Sequence, residues 1–144
     1  MRFLLDTNVV SELQRPRPDA NVERWFSAVD DDDLFLSVIA IGEIGRGIEQ
    51  LRTRDPSRAA SFDAWLHRLK ARYAGRIIEV DAEIGEIWGR LNGRMKVQGL
   101  APQIVDNLLA ASAISRGLVM ATRNLKDFAH AAVPVYDPWT QVHA

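Results

Sequence analysis

The residues best suited to chemistry are carboxylates at the ends of short apolar runs. Asp6 closes the run Arg2–Leu5 and is followed by Thr7 and Asn8, whose side chains can bond a carboxylate or cap a helix. Glu43 falls in a helix-period segment after Ser37, with Ile41, Ile44, Ile48 and Leu51 on its apolar stripe. Asp106 is the lone acid on an otherwise apolar stretch from Ile104 to Ile114. Ala121-Thr122-Arg123-Asn124 ends another apolar run, and Asp127 follows three residues later. Each feature alone also reads as ordinary structure: a turn or cap aspartate, a solvated glutamate, an acid at a helix N-terminus. Brought to one pocket, three carboxylates repel, and the group must trap a proton or bind a cation. An all-oxygen donor set selects a hard cation, Mg²⁺ or Mn²⁺, which suits phosphate substrates.

The elements that must position these groups alternate. Short apolar runs at Arg2–Leu5, Leu34–Ser37, Arg76–Val80, Leu118–Thr122 and Val133–Tyr136 read as strands, most of them buried on both faces. Between them, Phe62, Trp65, Leu66, Leu69 and Tyr73 form one helical stripe, and Ile84, Ile87, Trp88, Leu91 and Met95 another. Pro102 suits the first turn of a helix running to about Arg116, with Gly117 at its end. This pattern predicts a three-layer α/β/α fold around a mostly parallel, roughly five-stranded sheet. In such sheets ligands bind outside the carboxyl ends of the strands, near the switch in strand order. Three glycines around Glu43 (Gly42, Gly45, Gly47) weaken a helix, which suggests close backbone approach to a neighbour or ligand.

Composition narrows the classes. The 144 residues are 47% hydrophobic, which predicts one domain spanning 1–144 with a continuous core. The absence of cysteine excludes thiolate zinc, iron–sulfur clusters, a cysteine nucleophile and disulfides. Eighteen basic against 19 acidic residues give a net charge of −1, so a globally basic nucleic-acid binder is excluded while a local basic patch is not. No apolar run approaches a membrane span, and Asp6 interrupts the N-terminal run too early for a secretory core. A cytoplasmic setting is expected. His67 lies off its helical stripe, His130 reads as exposed and His143 as part of a frayed tail, so histidine general acid–base catalysis is disfavoured. Trp25, Phe26, Trp65, Trp88 and Trp139 read mainly as core, and Asp30–Asp33 as a solvated turn.

Leu4-Leu5-Asp6-Thr7-Asn8-Val9-Val10-Ser11-Glu12 resembles the opening of PIN-domain ribonucleases, in particular VapC toxins of the FitB-like branch of type II toxin–antitoxin modules. Ser37 through Ile48 with Glu43, Asp106-Asn107-Leu108-Leu109-Ala110-Ala111-Ser112-Ala113, and Ala121 through Phe128 resemble the second, third and fourth motifs, and Val135–Trp139 resembles the branch's C-terminal end. The resemblance implies a Mg²⁺-dependent endoribonuclease, with Mn²⁺ able to substitute, that cleaves RNA phosphodiesters with a metal-activated water. It implies inhibition by a cognate antitoxin, a homodimer, and contact with DNA only through the antitoxin. By motif position Asp6, Glu43 and Asp106 match the acidic triad, with Asp6 and Asp106 the principal metal ligands. Asn124 stands where many members carry Asp, and Asp127 is the compensating group. Arg46, Arg123 and Lys126 are the substrate-binding cations, with Arg15 and Arg17 bordering the cleft and Arg90, Arg94 and Lys96 on an ordinary polar face. The alternative is a degenerate PIN-fold module that binds RNA or a partner without catalysis. A phosphatase using Asp6 as nucleophile is disfavoured by Asn8, where that chemistry wants a second acid.

Overall fold

A computed structural model describes residues 1–144. The strands are β1 (Phe3–Leu5), β2 (Leu34–Ser37), β3 (Ile77–Ile78), β4 (Val119–Ala121), β5 (Val135–Asp137) and β6 (Val142–His143). They form one sheet in the order β3-β2-β1-β4-β5-β6, parallel throughout except for the β5–β6 pair. The helices are α1 (Thr7–Leu13), α2 (Ala20–Ala28), α3 (Val38–Arg52), α4 (Pro56–Arg72), α5 (Ala82–Val97) and α6 (Ile104–Arg116). Two short 3-10 segments cover Asp31–Asp33 and Leu125–Ala131.

Strand side chains alternate between two cores, as the period-2 pleat requires. Leu4, Met120 and Val135 join Ile84, Leu91 and Leu109 beneath α5 and α6. Phe3, Leu5, Leu36 and Tyr136 join Val9, Ile44 and Ile48 beneath the other helices. Three layers result. The Ala-rich face of α6 carries Ala110, Ala111 and Ala113, all fully buried, and small side chains let this helix sit close to its neighbours.

The sheet has six strands rather than five. The segment read as a frayed tail pairs antiparallel with β5, and His143 lies against the Tyr136 ring with centroids 4.5 Å apart. Two residues are too few to show a period, so β6 had no sequence signature. Helix α6 starts at Ile104, so Pro102 precedes the helix rather than opening it. Its end is as read, with Gly117 in the left-handed region at φ 65°. Helix α6 is less enclosed than its composition suggests: Ile104 is 51% exposed. No part of the protein closely approaches Gly42, Gly45 or Gly47, since a Cβ at each would meet nothing within 4 Å. These glycines leave an open face on α3 rather than admitting a neighbour.

The acidic run Asp30–Asp33 is more than a solvated turn. Asp30 caps the 3-10 segment by accepting from the Asp32 N–H. Asp31 pairs with Arg72 at 2.9 Å and Arg76 at 3.0 Å, and the hydrogen bond from Arg72 holds its carboxyl below the usual carboxylate range. Arg76, nearly buried, also donates to the carbonyls of Leu34 and Arg72 at 2.7 and 2.8 Å. One guanidinium thus ties β2 to the end of α4. Arg76→Ala leaves carbonyls unpaired and is expected to destabilise the fold by about 1.5–3 kcal/mol. A lowered urea midpoint at unchanged slope is the readout, and an unchanged midpoint would refute the role.

Candidate functional site

The strand order reverses direction on either side of β1, so the crevice between the carboxyl ends of β1 and β4 is the switch point. Leu5 is in register with Ala121, which places residues 6 and 122 side by side. The Asp6 N–H continues the ladder by donating to the Ala121 carbonyl at 2.9 Å. Asp6 is then both a helix cap and a carboxylate facing the crevice. Its Oδ1 accepts from the Thr7 N–H at 2.7 Å, opening α1. Its Oδ2 accepts from the Thr122 hydroxyl at 2.7 Å and, at the long distance of 3.4 Å, from Asn8 Nδ2.

Glu43 reaches the same crevice from α3, where its Oε1 accepts from the Thr7 hydroxyl at 2.7 Å. Asp106 enters from the first turn of α6, half-buried. Asp127 enters from the 3-10 segment after β4. With the Gln103 amide nitrogen turned toward its acceptors, it donates to Asp106 Oδ2 and to the Asp127 carbonyl at 3.2 Å each.

Electrostatics shows that these four acids share one environment. Burial pushes the Asp6 carboxyl up, hydrogen bonds from Thr122 and Thr7 pull it back, and the charges of Glu43 and Asp127 push it up again. Asp106 is raised to about 6, first by burial and then by Asp127, Asp6 and Glu43. No arginine or lysine forms a salt bridge with any of the four. As arranged, no three acidic or histidine groups close into a ligand cluster.

Asn124 is exposed, and its side chain makes no capping bond; its N–H donates to Thr122 Oγ1 at 3.0 Å. Arg46, on α3 one turn beyond Glu43, and Lys126, beside Asp127, are exposed cations without salt-bridge partners. Arg123 stacks on the Trp139 ring, 5.3 Å from its centroid. Arg15 pairs with Glu12 at 3.3 Å, while Arg17 is exposed. His67 is exposed as read. His130 is not: it is half-buried, and its Nε2 lies 2.6 Å from Oδ1 of the fully buried Asn107.

Thr122 and Gln103 are the groups that residue-type reasoning missed. Thr122 is fully buried, and its hydroxyl joins Asp6, Asn8 and Asn124. The strand register was the signal for it, because a polar residue beside Asp6 at the switch point must face the same crevice.

The PIN domain family matches residues 3–134, a span that contains every one of these acids. The chain belongs to the PIN-domain family. This PIN domain is 31% identical to Toxin FitB of Neisseria gonorrhoeae over 137 residues, covering 95% of this chain and 98% of that protein. It is 30% identical to VapC ribonuclease Y4jK of Sinorhizobium fredii, covering 95% of this chain and 97% of that one. Among solved structures, FitAB bound to an IR36 DNA fragment contains a chain that superposes on this PIN domain with a TM-score of 0.85. The identity there is 30%, over 95% of each chain.

Proposed function

We propose that this PIN domain is an endoribonuclease that hydrolyses RNA phosphodiesters with the help of Mg²⁺, and that it is the toxin of a type II toxin–antitoxin pair. The observation that carries the reading is that Asp6, Glu43, Asp106 and Asp127 line one crevice, near enough to perturb one another, without a salt-bridge partner. Such mutual repulsion is relieved by retaining a proton or by binding a cation, and a cation site is the reading that matches the all-oxygen lining. The relatives named Toxin FitB and VapC ribonuclease support the same reading.

The donor set fits a hard divalent ion, being carboxylate oxygens with no thiolate and no imidazole. Asp6 and Asp106 would hold it, with Glu43 directly or through water, and Asp127 or Asn124 in support. When bound, such an ion polarises a phosphoryl oxygen and lowers the pKa of water. The chain's own groups do the rest. Thr7 fixes one oxygen of Glu43 through its hydroxyl, so the other oxygen is left to orient and deprotonate the attacking water. Thr122 and the Thr7 N–H fix both oxygens of Asp6, so the carboxylate needs little reorganisation when the ion arrives. Arg46, Arg123 and Lys126 offer unpaired positive charge to the RNA backbone.

The natural test is incubation of the purified chain with total bacterial RNA, with Mg²⁺ and with EDTA. Discrete fragments that appear only with Mg²⁺ support the reading; intact RNA in both arms refutes it. Growth arrest on expression, relieved by a co-expressed partner, tests the toxin assignment and the cognate antitoxin. A homodimer that assembles with that antitoxin, and meets DNA through it, is part of the same proposal. One observation favours a rival, a binding module without catalysis: Asn124 is neutral where many family members carry an acid. Binding of RNA with no cleavage in either arm would favour it.

Metal binding has its own signature. Mn²⁺ at about a hundred times its Kd adds about 2.7 kcal/mol, a rise in melting temperature of about 5–10 °C for a chain of this length. Thr122→Val keeps the shape and removes the donor to Asp6. It is expected to weaken Mn²⁺ binding about tenfold. Unchanged affinity would assign Thr122 to packing alone.

A further inference from the structure

Arg123 and Trp139 form a built arrangement that the carboxylate site does not account for. The Arg123 guanidinium lies 5.3 Å from the Trp139 ring centroid, and the side chain is exposed. No carboxylate of the protein forms a salt bridge with it. It is anchored at both ends. Its backbone N–H points to Asn8 Oδ1 at the long distance of 3.4 Å, and Asn8 Nδ2 turns toward Asp6. The ring beneath it packs against the core, and its backbone is held in turn. The buried Asp137 accepts from the Trp139 N–H at 2.8 Å and from the Thr140 hydroxyl at 2.9 Å, and Asn21 on α2 donates to the Trp139 carbonyl at 2.7 Å.

We propose that Arg123 is a preset phosphate contact for the RNA strand at the rim of the carboxylate crevice, and that Trp139 is the positioning residue that presets it. The inference rests on the ribonuclease reading above. A guanidinium stacked on an indole keeps its outward N–H groups for an anion while losing rotamer freedom beforehand. Arg123 forms no salt bridge with Asp6, Glu43, Asp106 or Asp127, so its charge remains available to a ligand. Following Thr122 and with its N–H toward Asn8, it stands beside the crevice, where a phosphate of the bound strand can meet it. Trp139 packs against the core as its type suggests, and its remaining exposed face carries the guanidinium.

The test is binding of a fluorescein-labelled oligouridylate to the full chain carrying Asp6→Asn, which blocks turnover. Adding Arg123→Gln is expected to weaken binding about tenfold and to reduce the slope of log affinity against log salt by about 0.7, one phosphate contact on a single strand. Trp139→Leu is expected to weaken binding three- to tenfold with the slope retained, and Trp139→Phe to restore most of the loss. In the active background the same changes raise KM rather than lower kcat. Binding equal to the parent in both Arg123→Gln and Trp139→Leu overturns the proposal and leaves the platform to a protein partner. So does a Trp139 effect that Phe fails to rescue and that follows a fall in melting temperature, because that marks a purely structural ring. If the parent binds no oligouridylate and the unmodified chain cleaves no RNA, the ribonuclease reading fails and this proposal with it.

Discussion

Asp6→Asn is expected to lower RNA cleavage on the order of 10³-fold while leaving the metal-free fold at least as stable. The two halves of this expectation have different causes. The loss arises because an amide brings no charge to an ion that the crevice holds through carboxylates. The stability is kept because asparagine is as good a helix cap as aspartate, so the Thr7 N–H retains its acceptor. Asp6 is buried, and burial together with the Glu43 and Asp127 charges works against its ionised form. Removing that charge relieves repulsion, so the melting temperature without metal should hold or rise. Mn²⁺ should then produce little further stabilisation. Cleavage at the parental rate would take Asp6 out of the chemistry. A large fall in metal-free stability would make its role structural.

The same residue shows how far the sequence could be read. The position of Asp6 after Leu4 and Leu5 placed it at a strand's carboxyl end, and the rule for parallel sheets placed that end at a ligand crevice. The structure places Asp6 at the carboxyl end of β1, with β1 between β2 and β4 at the switch in strand order. The cap reading of Asp6 holds for Oδ1, which accepts from the Thr7 N–H, while Oδ2 faces Thr122 in the crevice, so capping leaves that oxygen available to the proposed site. Glu43 and Asp106 were legible as acids on apolar helices, but their convergence depended on strand order, which no local pattern carries. Asp127 was named only as a compensating group. The structure makes its charge the largest electrostatic influence on Asp106 after burial.

What could not be read has a common physical origin. Thr122, Gln103 and the His130–Asn107 contact matter through partners far away in the chain. A threonine at a strand end, a glutamine before a helix and a histidine near a turn are unremarkable by type and spacing. His130 looked exposed because its own neighbours are polar or small, yet the buried Asn107 amide draws it inward. The three glycines of α3 met no protein neighbour. Their helix-weakening cost suggested a neighbour, and the structure leaves them facing open space.

The pH dependence of metal binding follows from Asp106. Its carboxyl is raised from 3.8 to about 6 in the folded chain. A raised carboxyl binds its proton more tightly folded than unfolded. Without metal, this group's stabilising contribution is therefore fully present below about 3.8 and is lost as the pH rises through about 6. A cation reverses the preference, because it binds the ionised form and competes with the proton. Mn²⁺ affinity is expected to fall at least about tenfold between about pH 7 and about pH 5, since Asp106 goes from mostly ionised to mostly protonated across that interval. Asp6, also raised, steepens the fall. Asp106→Asn should bind Mn²⁺ more weakly at neutral pH and with a shallower pH profile, because one competing proton is gone. Calorimetric titrations at several pH values decide the matter. A flat profile in the unmodified chain would show that the ion does not engage Asp106. A profile equally steep in Asp106→Asn would move the titrating group elsewhere. The same repulsion that raises this carboxyl in the empty crevice is what a divalent ion neutralises, so metal affinity and acid sensitivity should rise and fall together across variants of these four acids.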